Sequence, residues 1–251
     1  MLTEIWNQIL IYPITNLFLF FHKIFGSFGL SIVGVTVVSR LLLWPVMVSS
    51  IKTAKIQKEL LPELNKLKEK FKDDKRKLAE AQGQFYKDKG INPASGCLTQ
   101  ILQLVFIIAL YSVLRLVLNA NTPEAIEKIN TALYSSWLHI SGAINTRFLY
   151  FDLTKPDPYY ILPVLSGLAQ FAYSKLMNAP LKKEAELAEK TVAKTDDISY
   201  NMQQQMLYTM PVMTVIIGLK LPAGLTFYWF LSTLMSLFQH LLIVRGAKKD
   251  G

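Results

Sequence analysis

Five long apolar stretches constrain the fold of this chain more than any other sequence feature. A helix needs about 20 predominantly apolar residues to cross a hydrocarbon core of roughly 30 Å. Stretches of about that length with few charges occupy residues 27–51, 96–118, 159–177, 202–219 and 223–244. We therefore predict an all-α polytopic membrane protein with five transmembrane helices.

A further apolar stretch, residues 1–26, is predicted to lie along the outer membrane surface. Glu4 comes near its start and Lys23 near its end, which is the reverse of a cleaved signal peptide with its basic start. Pro13 interrupts the helical pattern, and Trp6 is a residue that favours the interface. An amphipathic interfacial helix is therefore preferred, and a sixth span is the alternative.

The charges between the spans predict the orientation of the chain. The segment 52–95 holds twelve Lys and Arg, whereas the loop 119–158 holds three. By the positive-inside rule, the first segment is cytoplasmic and the second is outside. Basic residues in the loop 178–201 and in the tail 245–251 continue the alternation. We therefore expect the N-terminus outside and the C-terminus in the cytoplasm, and we attribute the net charge of +9 to this bias and to anionic lipid rather than to nucleic acid.

The segment 52–95 is predicted to form a cytoplasmic helical hairpin. Its apolar residues recur at spacings of three and four in two runs, which is typical of paired amphipathic helices. Asp74 is predicted to cap the second helix. The hairpin is either a connector of two spans or a docking element for substrates. The apolar residues are Ile56, Leu60, Leu64, Leu67 and Phe71, followed by Leu78, Ala81 and Phe85.

Arg40 is the most informative single residue. Twelve residues separate it from Lys52, which corresponds to a depth of roughly 18 Å in a helix. A central Arg costs about 2.5–3.5 kcal/mol on insertion scales, and such residues face a bundle interior or a wet cavity. No Asp or Glu lies in the five predicted spans. Arg40 either ties helices together through backbone carbonyls or lines a hydrated groove.

Polar side chains at helical spacing favour the groove. Ser and Thr in membrane helices usually bond to their own helix, so each stripe alone is weak evidence. Together with Arg40, the stripes predict a hydrophilic groove between the five helices, which would lower the cost of moving a short acidic or neutral polar tail through lipid. The predicted substrate-binding residues are Arg40, Gln100, Gln103, Gln170, Trp229, Ser232, Thr233, Ser236 and Gln239.

The sequence contains no recognisable catalytic constellation. Cys97 is the only cysteine, so no disulfide forms within the chain, and His22, His139 and His240 are scattered. No phosphate-binding loop or metal motif occurs. We therefore predict a protein that is not an enzyme and needs no cofactor.

Several strings resemble the YidC/Oxa/Alb family of membrane protein insertases, and their order covers nearly the whole chain. Each could occur by chance, but the set is specific. The strings are residues 39–45 SRLLLWP, 61–64 LPEL, 91–98 INPASGCL, 109–111 ALY and 221–229 LPAGLTFYW.

The resemblance implies a five-helix core with a groove open to the cytoplasm and to lipid but closed outside. It places the family's intramembrane arginine at Arg40, and groove residues at Trp229 and, more loosely, at Gln170. It implies an insertase and chaperone of the bacterial plasma membrane whose partners are nascent membrane proteins and lipids, with the ribosome and the Sec translocon as further candidates. Thr99 and Thr233 depart from the family's usual Pro and Asn. The short chain resembles the minimal bacterial form, without the long basic tail or large outer domain of some relatives and without a transit sequence.

Two other functions remain open from the sequence. In an anion or small-solute transporter, Arg40 would bind the solute, although the chain lacks a convincing internal repeat. In a translocon subunit that is not autonomous, the isolated chain would be inactive. Within the outer loop, Trp137, Tyr150 and Phe151 either rest on the membrane surface or pack internally.

Overall fold

The computed structural model of the chain describes residues 2–71, 74–90, 95–118, 120, 122–142, 144–177 and 205–247. These residues are mainly helical, which confirms the predicted all-α class. The predicted loop 178–201 lies outside the described residues. The chain divides into two compact units, which we describe separately. The first comprises Met1–Leu42, Leu104–Met177 and Gln205–Gly251, and the described part of the second is Leu43–Gln103.

The helices follow one another closely along the chain. Irregular turns interrupt them at a few points: π-helical turns span Asn7–Ile11 and Gln205–Thr209, and a 3-10 turn spans Ser136–Leu138. Two short antiparallel strands, β1 Arg147–Phe148 and β2 Phe151–Asp152, form a hairpin. The helices are α1 Leu2–Trp6, α2 Tyr12–Phe25, α3 Phe28–Leu42, α4 Trp44–Glu59, α5 Leu61–Lys70, α6 Lys75–Asp88, α7 Ser95–Leu118, α8 Pro123–Asn130, α9 Ile161–Met177, α10 Met210–Gly218 and α11 Ala223–Ala247.

In the first unit, α11 lies between α3 and α9, α3 also packs against α2, and α9 against α10. Small residues allow close approach of these helices. A Cβ atom on Gly34 would lie 2.5 Å from the Phe21 ring of α2, and one on Gly167 would overlap the Val215 side chain of α10. The later part of α7 joins the same core, because the Phe106 ring stacks on Tyr228 of α11 with centroids 5.4 Å apart.

Three helices among the described residues are long and apolar enough to cross a membrane: Thr3–Phe25, Ile101–Leu118 and Ala223–Arg245. The pair Phe28–Leu42 and Trp44–Thr53 becomes a fourth when it is counted as one broken span. Helix α9 has 17 residues and α10 has 9, so both are shorter than the length of about 20 residues that a membrane-spanning helix needs. The apolar helices support a multi-pass membrane protein, while the number of five spans and the surface position of residues 1–26 stay predictions.

The helix within the predicted first span is interrupted at Leu43. Pro45 supplies the physical reason, because it lacks a backbone N–H and its ring collides with the carbonyl of Leu41 in a continuous α-helix. Helix α4 then continues to Glu59, beyond the end predicted at Ile51. The structure therefore has two helices where the sequence suggested one.

In the second unit, α5 and α6 pack against each other. Leu64, which belongs to the first predicted apolar run, is buried. Lys89 Nζ lies 2.9 Å from Glu63 Oε2 and forms an ion pair with it. Asp74 Oδ1 accepts a hydrogen bond from the backbone N–H of Lys77 at 3.0 Å, which confirms the predicted cap of α6. That bond lowers the pKa of the Asp74 carboxyl. The cytoplasmic location of this helix pair stays a prediction.

The segment between α7 and α9, predicted as a loop, contains α8 and the β1–β2 hairpin. Asn16 of α2 connects it to the helices, because its Nδ2 donates to the Ala132 carbonyl at 3.1 Å and its Oδ1 accepts from Tyr134 N–H at 2.7 Å. Asn130 makes a similar pair of bonds with the backbone of Ile140. These amide side chains take the place of a regular backbone ladder in holding the segment together.

Candidate functional site

Arg40 lies in the last turn of α3 and is only 6% exposed. Its Nε donates to Ser232 Oγ at 2.8 Å, and its Nη2 donates to the same oxygen. Ser232 is fully buried on α11. The guanidinium therefore links α3 to α11 in the interior of the first unit.

Gln239 holds the backbone of the same arginine. Its Nε2 donates to the Arg40 carbonyl at 3.1 Å, and the side chain is 1% exposed. Ser232 and Gln239 are seven residues apart on α11, so they lie on one face about two turns from each other. One face of α11 thus binds both the side chain and the main chain of Arg40.

The other polar residues on this face bond within their own helix. Thr233 Oγ1 donates to the Trp229 carbonyl, and Ser236 Oγ donates to the Ser232 carbonyl, both at 3.0 Å. Such bonds to the residue four positions earlier satisfy a hydroxyl locally. Thr233 and Ser236 are buried, and these bonds by themselves create no connection to a second helix.

The remaining predicted site residues are less closely associated. Gln170 of α9 and Trp229 of α11 are half-buried. Gln103 is buried but belongs to the second unit. Gln100 lies in α7, and its side chain is outside the described set. Three of the nine predicted residues are joined by the hydrogen bonds described above: Arg40, Ser232 and Gln239.

Two tyrosines near Arg40 were not in the predicted site. The phenols of Tyr228 and Tyr173 lie close enough to interact electrostatically with the guanidinium. Tyr228 is 1% exposed and precedes Ser232 by four residues, so helical periodicity places both on one face. Tyr173 lies three residues after the predicted Gln170 on α9, and its ring contacts the His240 ring edge-on with centroids 6.4 Å apart.

The hydrogen bonds described for Arg40 place a buried cation against polar groups of α11. A hydroxyl and a carboxamide of α11 hold the guanidinium and its backbone, and hydrogen bonds of this kind offset part of the desolvation cost of a buried cation. Within the described ranges, no cluster of three or more His, Cys, Asp or Glu residues could hold a metal ion.

Two cavities lie away from Arg40. One of about 550 Å³ is lined mainly by α8 and by His139 and Ser141. The other, of about 270 Å³, is lined by the end of α2, Phe28 and residues 140–145 apart from 143. Neither is lined by Arg40, so the open groove stays a prediction.

These observations define a multi-pass membrane protein with an arginine inside its helical core. Comparison with known families matches residues 20–250 to the family described as 60Kd inner membrane protein. Membrane protein insertase YidC 2 of Bacillus anthracis is 32% identical over 99% of this chain and 86% of its own length. The chain therefore belongs to the 60Kd inner membrane protein family, the family of the bacterial YidC insertases.

Other relatives show the same similarity. Membrane protein insertase MisCA of Bacillus subtilis is 31% identical over 95% of this chain and 78% of its own length. Membrane protein insertase YidC of Shewanella halifaxensis is 33% identical over 95% of this chain, but the match spans only 37% of that longer protein. The crystal structure of an active YidC insertase, with its first transmembrane domain resolved, aligns with a TM-score of 0.58 and 21% identity over 93% of this chain and 45% of the solved one. This last likeness concerns the fold.

Proposed function

We propose that the chain is an insertase and chaperone that helps other membrane proteins enter the bilayer and fold there. The observation that carries this proposal is the buried Arg40, which is hydrogen-bonded to Ser232 and Gln239 of α11. The insertase names of the relatives support the same function.

The proposed mechanism lowers a solvation cost. A polar tail that crosses lipid loses its hydrogen bonds to water, and each unsatisfied group costs several kcal/mol. A hydrated groove that reaches partway through the membrane reduces the thickness of hydrocarbon that the polar tail must cross. The positive charge of Arg40 attracts acidic groups most strongly where the dielectric constant is low. A short acidic or neutral tail is therefore the preferred cargo, and the adjoining apolar segment moves sideways into lipid.

The orientation completes the proposal. With the N-terminus outside and the C-terminus in the cytoplasm, the α5–α6 hairpin faces the cytoplasm, where client segments would first meet it. The groove would open toward the cytoplasm and lipid and be lined by Arg40, Gln170 and Trp229 together with the other predicted polar residues. No covalent step or cofactor enters this scheme. Nascent membrane proteins and lipids are the required partners, and the ribosome and the Sec translocon are optional ones.

The test is insertion of a small single-span client into liposomes that contain only this protein. Protease protection of the translocated tail measures insertion, and clients with acidic and with neutral tails are compared. We expect Arg40→Leu to impair insertion of the acidic-tailed client most, because the cation is lost, and Arg40→Lys to have a milder effect.

Arg115→Leu provides the matched control. Arg115 also lies on an apolar helix, but it is exposed in the last turn of α7 near the Tyr111 ring. This variant should insert both clients as the wild type does. If folded, correctly oriented wild-type protein inserts no more client than empty liposomes, the autonomous insertase is excluded. Equal losses for Arg40→Leu and Arg115→Leu would remove the special role of Arg40.

A further inference from the structure

The β1–β2 hairpin is fixed to the ends of two membrane helices. The Phe148 ring packs directly on Gly29, at the start of α3, where any side chain would collide with it. At the start of α11, Gly224 N–H donates to the Leu153 carbonyl at 3.1 Å, and Ala223 N–H donates to the Lys155 carbonyl at 2.7 Å. The hairpin therefore lies at the end of the bundle where α3 and α11 begin.

Asp157 connects the hairpin to the start of a third helix. Its Oδ2 accepts from Leu162 N–H of α9 at 2.6 Å and from the Tyr150 hydroxyl at 3.0 Å, while its Oδ1 accepts from Tyr159 N–H at 3.1 Å. The carboxylate is 2% exposed. The turn of the hairpin and the first residues of α9 thus form one ordered assembly at the level where the apolar helices begin.

This assembly exposes four large apolar or aromatic side chains, which we call the aromatic tip: Leu149, Tyr150, Tyr159 and Tyr160. Their exposed fractions are 78%, 40%, 68% and 57%. Phe151, by contrast, is 2% exposed and contacts Phe227, so it belongs to the core.

Two positions in the aromatic tip adopt an uncommon backbone conformation. Leu149 has φ 52° and Tyr160 has φ 58°, in the left-handed region where Gly and Asn are favoured. Bulky side chains at these positions are unfavourable for the turn, and their exposure to water would add a second cost. Contact with lipid would remove the second cost.

The surroundings of the aromatic tip fit a phospholipid surface. Tyrosine favours the boundary between lipid and water, because its ring is apolar and its hydroxyl is polar. Partial burial and the bond to Asp157 raise the pKa of Tyr150 to about 12. Arg147 and Lys155, on either side of the tip in the sequence, are exposed cations that can meet lipid phosphates.

We propose that the aromatic tip inserts into the interface of the outer leaflet and holds the starts of α3, α9 and α11 at a fixed depth. Its partner is the phospholipid surface itself, with apolar contact from Leu149 and the tyrosine rings and with phosphate contact from the flanking cations. The inference needs the chain to span the membrane, but it does not depend on insertase activity.

The test uses a fluorescent depth probe on the full chain in liposomes. In a Cys97→Ser background, Leu149→Cys is labelled with an environment-sensitive dye, and quenching by lipids with nitroxides at shallow or deep positions is measured. Glu124→Cys on the exposed face of α8 is the matched control in the same loop. We expect a blue-shifted emission and several-fold stronger quenching at position 149, with the shallow nitroxide more effective than the deep one. Emission and quenching equal to those at position 124 would overturn the proposal.

A second variant separates lipid contact from a distorted turn. Leu149→Asn suits the left-handed conformation, so the turn should persist while its apolar contact with lipid is lost. A dye at Tyr159→Cys should then be less quenched by shallow nitroxides than in the Leu149 parent, with unchanged circular dichroism. Unchanged quenching would contradict the role of Leu149. A dye at position 149 that is exposed to water in liposomes but shielded in native membranes would identify a protein partner and reject the lipid.

Discussion

Ser232→Ala removes the hydroxyl that receives two donors of the Arg40 guanidinium. The structure predicts a measurable loss of stability, because both residues are buried and the bond joins α3 to α11. A hydrogen bond to a charged group contributes about 1.5–3 kcal/mol in water-soluble proteins. Interhelical bonds in membranes average about 0.6 kcal/mol and reach about 1.7. We therefore expect the free energy of unfolding to fall by about 1–2 kcal/mol, between these ranges.

The assay is reversible unfolding in mixed micelles with a rising fraction of SDS, followed by circular dichroism. Ser236→Ala is the matched control, because the Ser236 hydroxyl bonds to the Ser232 carbonyl of its own helix. It should cost less than about 0.5 kcal/mol, since a hydroxyl that bonds back to its own helix contributes little net stability.

A double-mutant cycle with Arg40→Leu isolates the pair. Contacting residues in a hydrogen-bond network show interaction energies of about 0.5–3 kcal/mol, whereas independent sites add within about 0.3–0.5. We expect Ser232→Ala to cost much less when Arg40 is already leucine. Additive effects of the two substitutions, or equal losses for Ser232→Ala and Ser236→Ala, would refute the tie between α3 and α11.

Two further predictions concern the helix pair α5–α6 and the contact of α9 with α10. The hydrogen bond from the Lys77 N–H lowers the pKa of the Asp74 carboxyl. The bond therefore stabilises the first turn of α6 at pH values above the ordinary carboxyl pKa, and this stabilisation is lost as the pH falls through the lowered pKa. Hydrogen exchange of the Lys77 amide should be faster in Asp74→Ala at neutral pH, and the difference from wild type should vanish in acid. Gly167→Ala should reduce the unfolding free energy by about 1–3 kcal/mol in the SDS titration, because the added methyl group overlaps Val215.

Each of these predictions has a control within the chain. Asp88 lies at the other end of α6, so Asp88→Ala should leave exchange in the first turn unchanged; an equal effect would contradict the cap. A Cβ atom on Gly83 of α6 would have no atom of another element within 4 Å. Gly83→Ala should therefore raise the free energy of unfolding by about 0.5–1 kcal/mol. Val215→Ala should restore part of the stability of Gly167→Ala, and no recovery would show that the overlap is not the cause.

The helical class and the position of the buried cation were predictable from the sequence. An arginine within a long apolar run has few stable environments, so Arg40 alone indicated an interior site. Ser232 was on a polar stripe and does bind it. The Asp74 cap followed from a short polar residue just before an amphipathic helix.

Other features leave too little signal in the sequence. Gln239 binds a backbone carbonyl, and every residue has one, so its partner could not be identified by side-chain type. The strands of the hairpin contain two residues each, which is too short to show alternation. Thr233 and Ser236 lie on the same predicted polar stripe of the last span as Ser232. The bonds described for them nevertheless stay within α11, because a hydroxyl in a helix can bond to the carbonyl four residues earlier.

The pairing of Arg40 with Ser232 also has a consequence for biosynthesis. The two residues are 192 positions apart in the chain. At about 5–20 residues per second, a ribosome needs roughly 10–40 s to make the intervening segment. The arginine therefore leaves the ribosome long before its hydroxyl partner exists. During that interval the arginine of α3 is without the Ser232 hydroxyl, and a charged residue is costly to place in the membrane. The nascent chain is therefore itself a difficult substrate for the machinery that delivers it to the membrane.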